Sequence, residues 1–449
     1  MNDLLKVFFV SLGCDKNLVD SEKMISLLQR NGFELTYDEL EADIIVVNSC
    51  CFIDSAKEES INTILEMASL KGEGGACKCL VLAGCLAQRY AQDIKTELPE
   101  VDVVIGTTAF DQIVTAVSAF MEGEGHDVIK DINDDVRVGT QRAITTPGHY
   151  EFLKIAEGCS KHCTYCIIPK VRGEYRSVPM DELLEEAGML AEGGVKELII
   201  VAQESTVYGM DLYGKKMLPE LLRKLCAIEG FHWIRLLYCY PEEIDDELIR
   251  VIKEEKKILH YIDMPIQHSE DRILKRMGRR TSRADIENII GQLRKEIPDI
   301  AIRTSIIAGF PSETEEEHEA LLDFIKKMRF DRLGCFTYSQ EENTPAAAFE
   351  GQIDEDTKIR YRDEIMSLQQ EIAEEKTEEL IGKEFEVFIE GRIPEDGVYV
   401  GRTYRDAPGV DGLIFVDEIG MARELMTGDY INVNLVGGNG YDLKGKVNG

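Results

Sequence analysis

The chain has 449 residues, which is too long for one ordinary hydrophobic core and predicts two to three domains. Its 44% apolar and 30% charged residues are typical of a soluble globular protein, and its longest apolar runs are too short to cross a membrane. The 51 basic and 84 acidic residues give a net charge of −33, which repels phosphate backbones and favours basic partners. The N-terminus lacks a signal-peptide pattern, so we expect a cytoplasmic protein.

The first 121 residues alternate between strand and helix patterns. Short apolar, β-branched runs predict strands at KVFFVSLG, DIIVVNS, CLVLAG and VDVVIG. Helical patterns lie between them at 21–31, 55–70 and 87–98, and Asp20 or Ser21 is the expected cap of the first helix. This βαβα order predicts a parallel sheet with right-handed crossovers.

Three cysteines directly follow strands of this predicted sheet, namely Cys14, Cys50 and Cys85. Parallel strands end on one edge, so the three thiols are expected to meet there. Twelve cysteines in a large chain favour metal or redox chemistry over a disulfide framework. These three could hold an iron–sulfur cluster with one open iron, and three ordinary buried cysteines are the alternative. Other cysteines of this region are predicted to lie away from that edge: Cys51, Cys77 and Cys79.

Residues 122–144 show no regular period and contain several Gly and Asp, so they are predicted to be a linker. A second βα series fills 145–380, with strands expected at 152–156, 197–202, 233–239, 260–264, 301–307 and 332–338. Six βα units predict a partial (βα) barrel whose site lies at the carboxyl ends of its strands.

The segment EGCSKHCTYCIIPKVR, residues 157–172, follows the first of these strands and spaces Cys159, Cys163 and Cys166 as C-x3-C-x2-C. A [4Fe–4S] cluster normally takes four thiolates, so three from one loop leave one iron open. A structural zinc loop is the alternative, but zinc usually takes four ligands in paired knuckles.

The region 383–449 changes to short alternating strands with Gly and Pro turns, which predicts a small all-β barrel of five strands. Small barrels of this kind often bind nucleic acid through a basic face. Here seven Lys and Arg stand against twelve Asp and Glu, a net charge of −5. That sign makes nucleic acid an unlikely partner of this barrel and suits a basic protein. The basic stretch RILKRMGRRTSR at 272–283 is expected to be a solvated helix face, with a phosphate or substrate-carboxylate contact as the alternative.

Phrases along the whole chain resemble the methylthiotransferases among the radical S-adenosylmethionine (SAM) enzymes. They are SLGCDKNLVDSE, VNSCCFID, AGCLAQRY, EGCSKHCTYCIIPKVRG, RLLYCYPEE, FTYSQEENTPAA and YVGRTYRDAP. The order of a three-cysteine domain, a radical SAM barrel and a TRAM-type barrel also resembles that family. The phrases are most similar to its RimO branch, which modifies a ribosomal protein, number twelve of the small subunit. The sister MiaB branch modifies an adenosine of tRNA.

The resemblance implies an enzyme with two [4Fe–4S] clusters that consumes two SAM and replaces a C–H bond at an aspartate β-carbon with a methylthio group. By family likeness, Cys159, Cys163 and Cys166 hold the cluster that binds SAM, and Cys14, Cys50 and Cys85 hold the second. Candidate SAM contacts are Tyr165, Gln203, Gln267, Arg303 and Gly309. An electron donor such as flavodoxin or ferredoxin is implied. A tRNA adenosine methylthiotransferase and a non-catalytic iron–sulfur or zinc protein are the alternatives.

Overall fold

A computed structural model describes residues 4–72, 75–125, 127–136, 138–419 and 423–447. The N-terminal domain is a five-stranded parallel sheet in the order β2-β1-β3-β4-β5 with helices on its faces. Every residue of β3 and β4 is buried, as expected for central strands covered on both faces. The elements are β1 (Lys6–Ser11), α1 (Asp15–Arg30), β2 (Glu34–Leu35), β3 (Ile44–Ser49), α2 (Asp54–Ala68), β4 (Cys79–Gly84), α3 (Cys85–Arg89), α4 (Ala91–Glu97), β5 (Val103–Ile105) and α5 (Ile113–Met121).

The predicted start of the first helix is wrong. Helix α1 begins at Asp15, with Cys14 in the N-cap position, several residues before the expected caps Asp20 and Ser21. Those two polar residues are buried instead of capping. Asp20 pairs with Lys154 and Arg172 of the barrel, and Ser21 donates to Ser11 Oγ at 2.9 Å. Polar residues that bond to the central barrel or to a neighbouring strand therefore resemble a helix cap in the sequence.

The central domain confirms the partial barrel. Its six main parallel strands form two sheets in the orders β10-β9-β6 and β11-β12-β13. The sheets meet where Leu259 N donates to Ile234 O at 2.9 Å. The elements are β6 (Tyr150–Lys154), β7 (Ala156–Glu157), α6 (Ile168–Val171), β8 (Arg176–Ser177), α7 (Met180–Glu192), β9 (Glu197–Val201), α8 (Met210–Tyr213), α9 (Leu218–Cys226), β10 (Trp233–Leu236), α10 (Asp246–Glu254), β11 (Tyr261–Asp263), α11 (Asp271–Arg276), α12 (Arg283–Glu296), β12 (Ala301–Ala308), α13 (Glu315–Met328), β13 (Arg332–Thr337) and α14 (Glu355–Leu380).

The C-terminal domain is a closed five-stranded barrel in the order β14-β15-β16-β18-β17, as predicted. Its strands are β14 (Glu384–Ile393), β15 (Val398–Arg402), β16 (Ile414–Asp417), β17 (Tyr430–Asn439) and β18 (Asp442–Val447). It docks on the central domain through buried ion pairs, among them Arg402 Nη2 to Glu197 Oε2 at 2.6 Å and Arg405 Nη2 to Asp331 Oδ1 at 2.5 Å. Such paired charges tolerate burial because each has its partner.

The segment between the first two domains is anchored by Arg142, whose side chain is 1% exposed. Its guanidinium pairs with Glu22 of α1, Glu151 of β6 and Glu186 of α7. One arginine thus joins the N-terminal domain to the barrel. No helix within the described residues is long and apolar enough to span a membrane.

Candidate functional site: two groups of three thiols

The thiols of Cys14, Cys50 and Cys85 lie at one edge of the N-terminal sheet, as predicted. Cys50 directly follows β3, Cys85 follows β4, and Cys14 lies just beyond β1. The turn before Cys14 needs a glycine: Gly13 has φ +89°, and a Cβ there would lie 2.9 Å from Cys50 Sγ. Burial, together with charge repulsion from Cys85 and Cys14, raises the pKa of the Cys50 thiol to about 12. Because such repulsion acts over short distances, it indicates that the three sulfur atoms lie near one another.

The second group lies on the loop between β7 and α6. Cys159 N donates to Gly173 O at 3.1 Å, and Cys166 N donates to Cys163 O at 3.0 Å, so the loop folds back on itself. Burial raises the pKa of Cys159 to about 12, with Cys163 contributing to the increase. Burial also raises the pKa of Cys166, and charge repulsion from Cys163 and Cys159 contributes to the increase. Three neighbouring sulfur donors with no competing disulfide suit an iron–sulfur cluster, because thiolates are its ligands.

All twelve cysteines are free thiols. Among the described residues, no three His, Cys, Asp or Glu side chains converge as the ligands of a single metal ion do. The assignment of the six cysteines as cluster ligands therefore stays a prediction, which the placement of the two groups supports.

Two structural links join the thiol groups. Arg172, six residues after Cys166, is 2% exposed, and its Nε donates to Cys85 Sγ at 3.4 Å. The segment after β10 forms the other link, because Tyr240 Oη lies 3.9 Å from Cys163 Sγ while Tyr238 Oη donates to Asp15 Oδ2, beside Cys14, at 3.1 Å. The two groups therefore face the same space between the N-terminal sheet edge and the barrel mouth.

Gln203, Gln267 and Gly309 follow the carboxyl ends of barrel strands, and Tyr165 lies in the cysteine loop. Arg303, the third residue of β12, lies nearer the amino end of its strand. Several of these predicted SAM contacts are engaged by protein groups. Gln203 Nε2 donates to Glu157 Oε1 at 3.0 Å, whereas its buried Oε1 has no partner. Arg303 pairs with Asp263 at 2.8 Å and Asp411 at 3.3 Å. Gly309 N donates to Glu313 Oε2 at 2.8 Å. These candidates stay predictions.

Gly309 and Gln267 both have positive φ angles, +73° and +70°. A Cβ at Gly309 would lie 2.4 Å from Lys358 Cγ, so its close approach is to α14. Gln267 is half-buried, and its backbone bonds to β12, with Gln267 N donating to Ser305 O at 2.9 Å. Tyr165 is half-buried and packs against a small apolar cluster that includes Phe310.

The expectation of a solvated face at 272–283 is wrong for Arg279, which is 6% exposed. Arg279 lies over the Tyr240 ring, 4.2 Å from its centroid, and its Nη2 donates to Pro265 O at 2.9 Å. Its Nε and Nη1 are buried with no hydrogen-bond partner in the part of the chain that the structure describes, and its neighbours include Cys163. Gly278 is the feature of the sequence that could have indicated this burial. Its φ of +75° ends the turn after α11, so that the next residue, Arg279, points inward.

Glu204 is a further buried group near the cysteine loop. It is 1% exposed, its Oε2 has no hydrogen-bond partner within the described ranges, and Lys161 Nζ lies 3.8 Å from that oxygen. Burial raises the pKa of Glu204 to about 7. Cys159 is among the thiols that this carboxylate repels. Arg279 and Glu204 together give the barrel mouth unsatisfied groups of both signs, which suits a zwitterionic ligand.

Three family models match successive parts of the chain. The uncharacterized protein family UPF0004 matches 6–106, the radical SAM superfamily matches 153–325, and the TRAM domain matches 381–447. In fold, the chain is similar to the radical S-adenosylmethionine methyltransferase TsrM from Kitasatospora setae, solved with cobalamin and a [4Fe-4S] cluster bound. The TM-score is 0.56 at 14% identity, covering 77% of each chain. The cobalamin-dependent radical enzyme OxsB gives a TM-score of 0.54 at 14% identity, over 81% of this chain and 56% of that one.

Curated relatives match almost the whole chain. A protein of Lachnoclostridium phytofermentans is 60% identical over 98% of this chain and 99% of its own length. One of Clostridioides difficile is 48% identical over 99% of both. Both are named ribosomal protein uS12 methylthiotransferase RimO. This chain therefore belongs to the RimO family of radical SAM methylthiotransferases.

Proposed function

We propose that this enzyme adds a methylthio group to the β-carbon of an aspartate in ribosomal protein uS12. The observation that carries the proposal is the pair of thiol groups that face one space, linked by Arg172 and by the segment from Tyr238 to Tyr240. SAM and two [4Fe–4S] clusters, when bound, supply the radical that removes hydrogen and the methylthio group that replaces it. The protein's part is to hold both groups close together and to exclude water from the space between them.

The surface of the terminal barrel supports a basic protein substrate. Four of its seven basic side chains pair within the chain through short contacts: Arg392 with Glu418, Arg402 with Glu197 and Glu390, Arg405 with Asp331, and Arg423 with Asp429. Exposed acidic residues such as Glu395 and Asp396 have no ion-pair partner among the described residues. The exposed charge is therefore strongly acidic, which attracts a basic ribosomal protein and repels tRNA.

A paired assay tests this proposal. Holoenzyme, SAM and a reductant are incubated anaerobically with unmodified uS12 or with unmodified tRNA, and both products are read by mass spectrometry. We expect a methylthio gain on one aspartate of uS12 and none on tRNA. A gain on a tRNA adenosine would overturn the substrate assignment. Absence of SAM cleavage together with iron content far below two clusters per chain would instead indicate a non-catalytic metal protein.

Substitution of one thiol separates the roles of the two groups. We expect Cys85→Ala to retain SAM cleavage at Cys159, Cys163 and Cys166 while abolishing methylthio transfer, because only the N-terminal group is altered. Cys79→Ala, which changes a buried cysteine at the other end of β4, is the matched control. Loss of SAM cleavage in a folded Cys85→Ala enzyme would contradict this division of roles.

The partners follow from the same chemistry. Reductive cleavage of SAM needs an electron, so we propose a small electron-transfer protein such as flavodoxin or ferredoxin as donor. Because the proposed substrate is a ribosomal protein, we propose that the reaction takes place in the cytoplasm.

A further inference from the structure

Buried basic side chains in the described part of the chain are almost all paired with acids. Nine Lys and Arg residues are buried there. Seven have a carboxylate oxygen within 4.0 Å: Lys154, Arg172, Arg235, Arg332, Lys358, Arg402 and Arg405. The remaining two, Lys16 and Arg279, each lie beside one of the two thiol groups. A buried cation without an acid is costly, so these two positions point to a ligand that supplies the missing charge.

Lys16 is the more telling of the two, because it lies two residues after Cys14 and is 5% exposed. Its Nζ lies 3.4 Å from the centroid of the Tyr238 ring. The ring face attracts an ammonium but leaves its N–H donors without the strong acceptors that a carboxylate offers. Asp15, the neighbouring acid, accepts from Tyr238 Oη at 3.1 Å and does not reach ion-pair distance of Lys16.

Tyr238 is held where it contacts Lys16 by unusual means. Its φ of +59° places an aromatic residue in the left-handed region, which such residues rarely adopt. Tyr238 N donates to Asp263 Oδ2 at 3.1 Å, and Asp263 pairs with Arg303 at 2.8 Å. Strained residues maintained by a surrounding network are concentrated at functional sites. This network fixes the ring, and with it the ammonium, beside the N-terminal thiol group.

The position of Lys16 also fits a substrate between the two groups. Tyr238 contacts Lys16, and Tyr240, two residues later, reaches Cys163 Sγ at 3.9 Å. The ammonium therefore lies close to the space that both thiol groups face. The chain as a whole carries −33 charges, so an acidic side chain entering this space needs a local cation.

We propose that Lys16 binds the carboxylate of the acceptor aspartate and so positions its β-carbon between the two thiol groups. This inference rests on the proposed function. The β-carbon is bonded directly to the carboxyl carbon, so fixing the carboxylate fixes the reacting carbon to within one bond. It also gives the enzyme a means of rejecting asparagine, whose amide has the same shape but no charge.

The test compares two forms of uS12: the unmodified protein and a version with asparagine at the acceptor aspartate. Dissociation constants are measured anaerobically by calorimetry for the wild-type holoenzyme and for Lys16→Met, Lys16→Gln and Lys16→Arg. We expect the wild type to bind the aspartate form about tenfold or more tightly than the asparagine form. Lys16→Met and Lys16→Gln should bind both forms equally, and Lys16→Arg should retain most of the preference. Lys78→Met, which removes an exposed lysine of the same domain, should retain it fully.

Each outcome decides between defined alternatives. A full preference for aspartate in a folded, cluster-loaded Lys16→Met or Lys16→Gln enzyme overturns the inference. Weaker SAM binding in these variants, with the aspartate preference intact, would mean that Lys16 binds the carboxylate of SAM instead and also overturns it. If the wild type modifies uS12 but the preference is absent, only this inference fails. If the wild type does not modify uS12, the proposed function itself fails.

Discussion

Arg172 connects the two thiol groups through a single side chain. Its Nη1 lies 2.7 Å from Asp20 Oδ2 and 3.2 Å from Glu157 Oε2, while its Nε contacts Cys85. Lys154 pairs with the same two carboxylates. The loop that carries one thiol group is thereby bonded to the domain that carries the other. The distance between the two groups depends on this buried network rather than on the covalent connection alone.

We expect Arg172→Met to destabilise the enzyme by about 3–5 kcal/mol, because two buried carboxylates then share one cation. Thermal unfolding of the holoenzyme under anaerobic conditions measures the effect. Arg329→Met is the control, because Arg329 also bridges two carboxylates, Glu375 and Glu379, but is about one-third exposed. Arg329→Met should lower the free energy of unfolding by no more than about 1 kcal/mol. Equal losses of stability in the two variants would contradict the conclusion that burial makes the Arg172 ion pairs the stronger contributors.

Glu22 predicts a pH dependence of stability. Burial raises its pKa from 4.5 to about 7, against the effect of Arg142. The folded chain therefore holds this proton more tightly than the unfolded chain, and stability is lost as the pH rises from about 4.5 to about 7. We expect Glu22→Gln to reduce the loss of unfolding free energy over this pH range by about 1–3 kcal/mol. Melting temperatures from pH 5.5 to pH 8 measure the slope, with Glu66→Gln on the exposed face of α2 as control. An unchanged slope in Glu22→Gln would refute the assignment.

At the scale of an element, the turn between β1 and α1 is shaped around Cys50. A Cβ at Gly13 would lie 2.7 Å from Cys50 Cβ and 2.9 Å from its Sγ, so a side chain there displaces a proposed cluster ligand. The turn also lets α1 begin directly after Cys14. A short strand–turn–helix unit thus places one thiol beside another that comes from a different strand.

We expect Gly13→Ala to lose the N-terminal cluster, which roughly halves the iron content, and to lose methylthio transfer while SAM cleavage persists. Gly32→Ala is a closely matched control: Gly32 has φ +86°, similar to the +89° of Gly13, but a Cβ there meets nothing within 4 Å. Both variants carry the same backbone strain, so a difference between them isolates the clash with Cys50. Full iron content in Gly13→Ala would show that the thiols can rearrange.

At the scale of the whole molecule, the N-terminal domain and the central barrel enclose the space between the thiol groups. The loop after β13 also joins the two domains, because buried Glu341 accepts from Arg89 Nη1 at 2.9 Å and lies 3.2 Å from Lys57 Nζ. The terminal barrel stays outside this space, docked by its own buried ion pairs. Its acidic surface is therefore free to attract a partner while the reaction proceeds elsewhere.

We expect kcat/KM for uS12 to fall about tenfold or more when salt is raised from about 50 to about 300 mM, because screening weakens the attraction between the acidic enzyme and its basic substrate. Reversing Glu395 and Asp396 together to lysine should weaken this dependence. Reversing Glu58 and Glu59, two exposed acids on α2, is the matched control for net charge. If both pairs act equally, overall charge steers the substrate and the terminal barrel has no special part.

Much of the fold followed from local pattern. Four of the five strands of the N-terminal sheet, the six main barrel strands and the five strands of the terminal barrel lie where apolar periodicity predicted them, because each strand buries side chains that its own sequence supplies. The fifth strand, β2, has only two residues, too few to show a period, and was not predicted. The two groups of three cysteines were predicted from their spacing and from their positions just after strands, and their role as cluster ligands stays a prediction. The start of α1 was missed because Asp20 pairs with a residue of the central domain and Ser21 bonds to strand β1, so neither side chain caps the helix.

The sequence by itself therefore determined the domain types, the order of the strands along the chain and the two groups of thiols, because all of these depend on neighbours in the chain. Only the tertiary structure decided that both groups face one space, that Arg172 reaches Cys85, and that Lys16 and Arg279 are buried with no acid partner among the described residues. The residues in contact there are far apart in sequence, Arg172 and Cys85 by 87 positions. Burial and charge pairing between such distant residues arise only when the domains pack together.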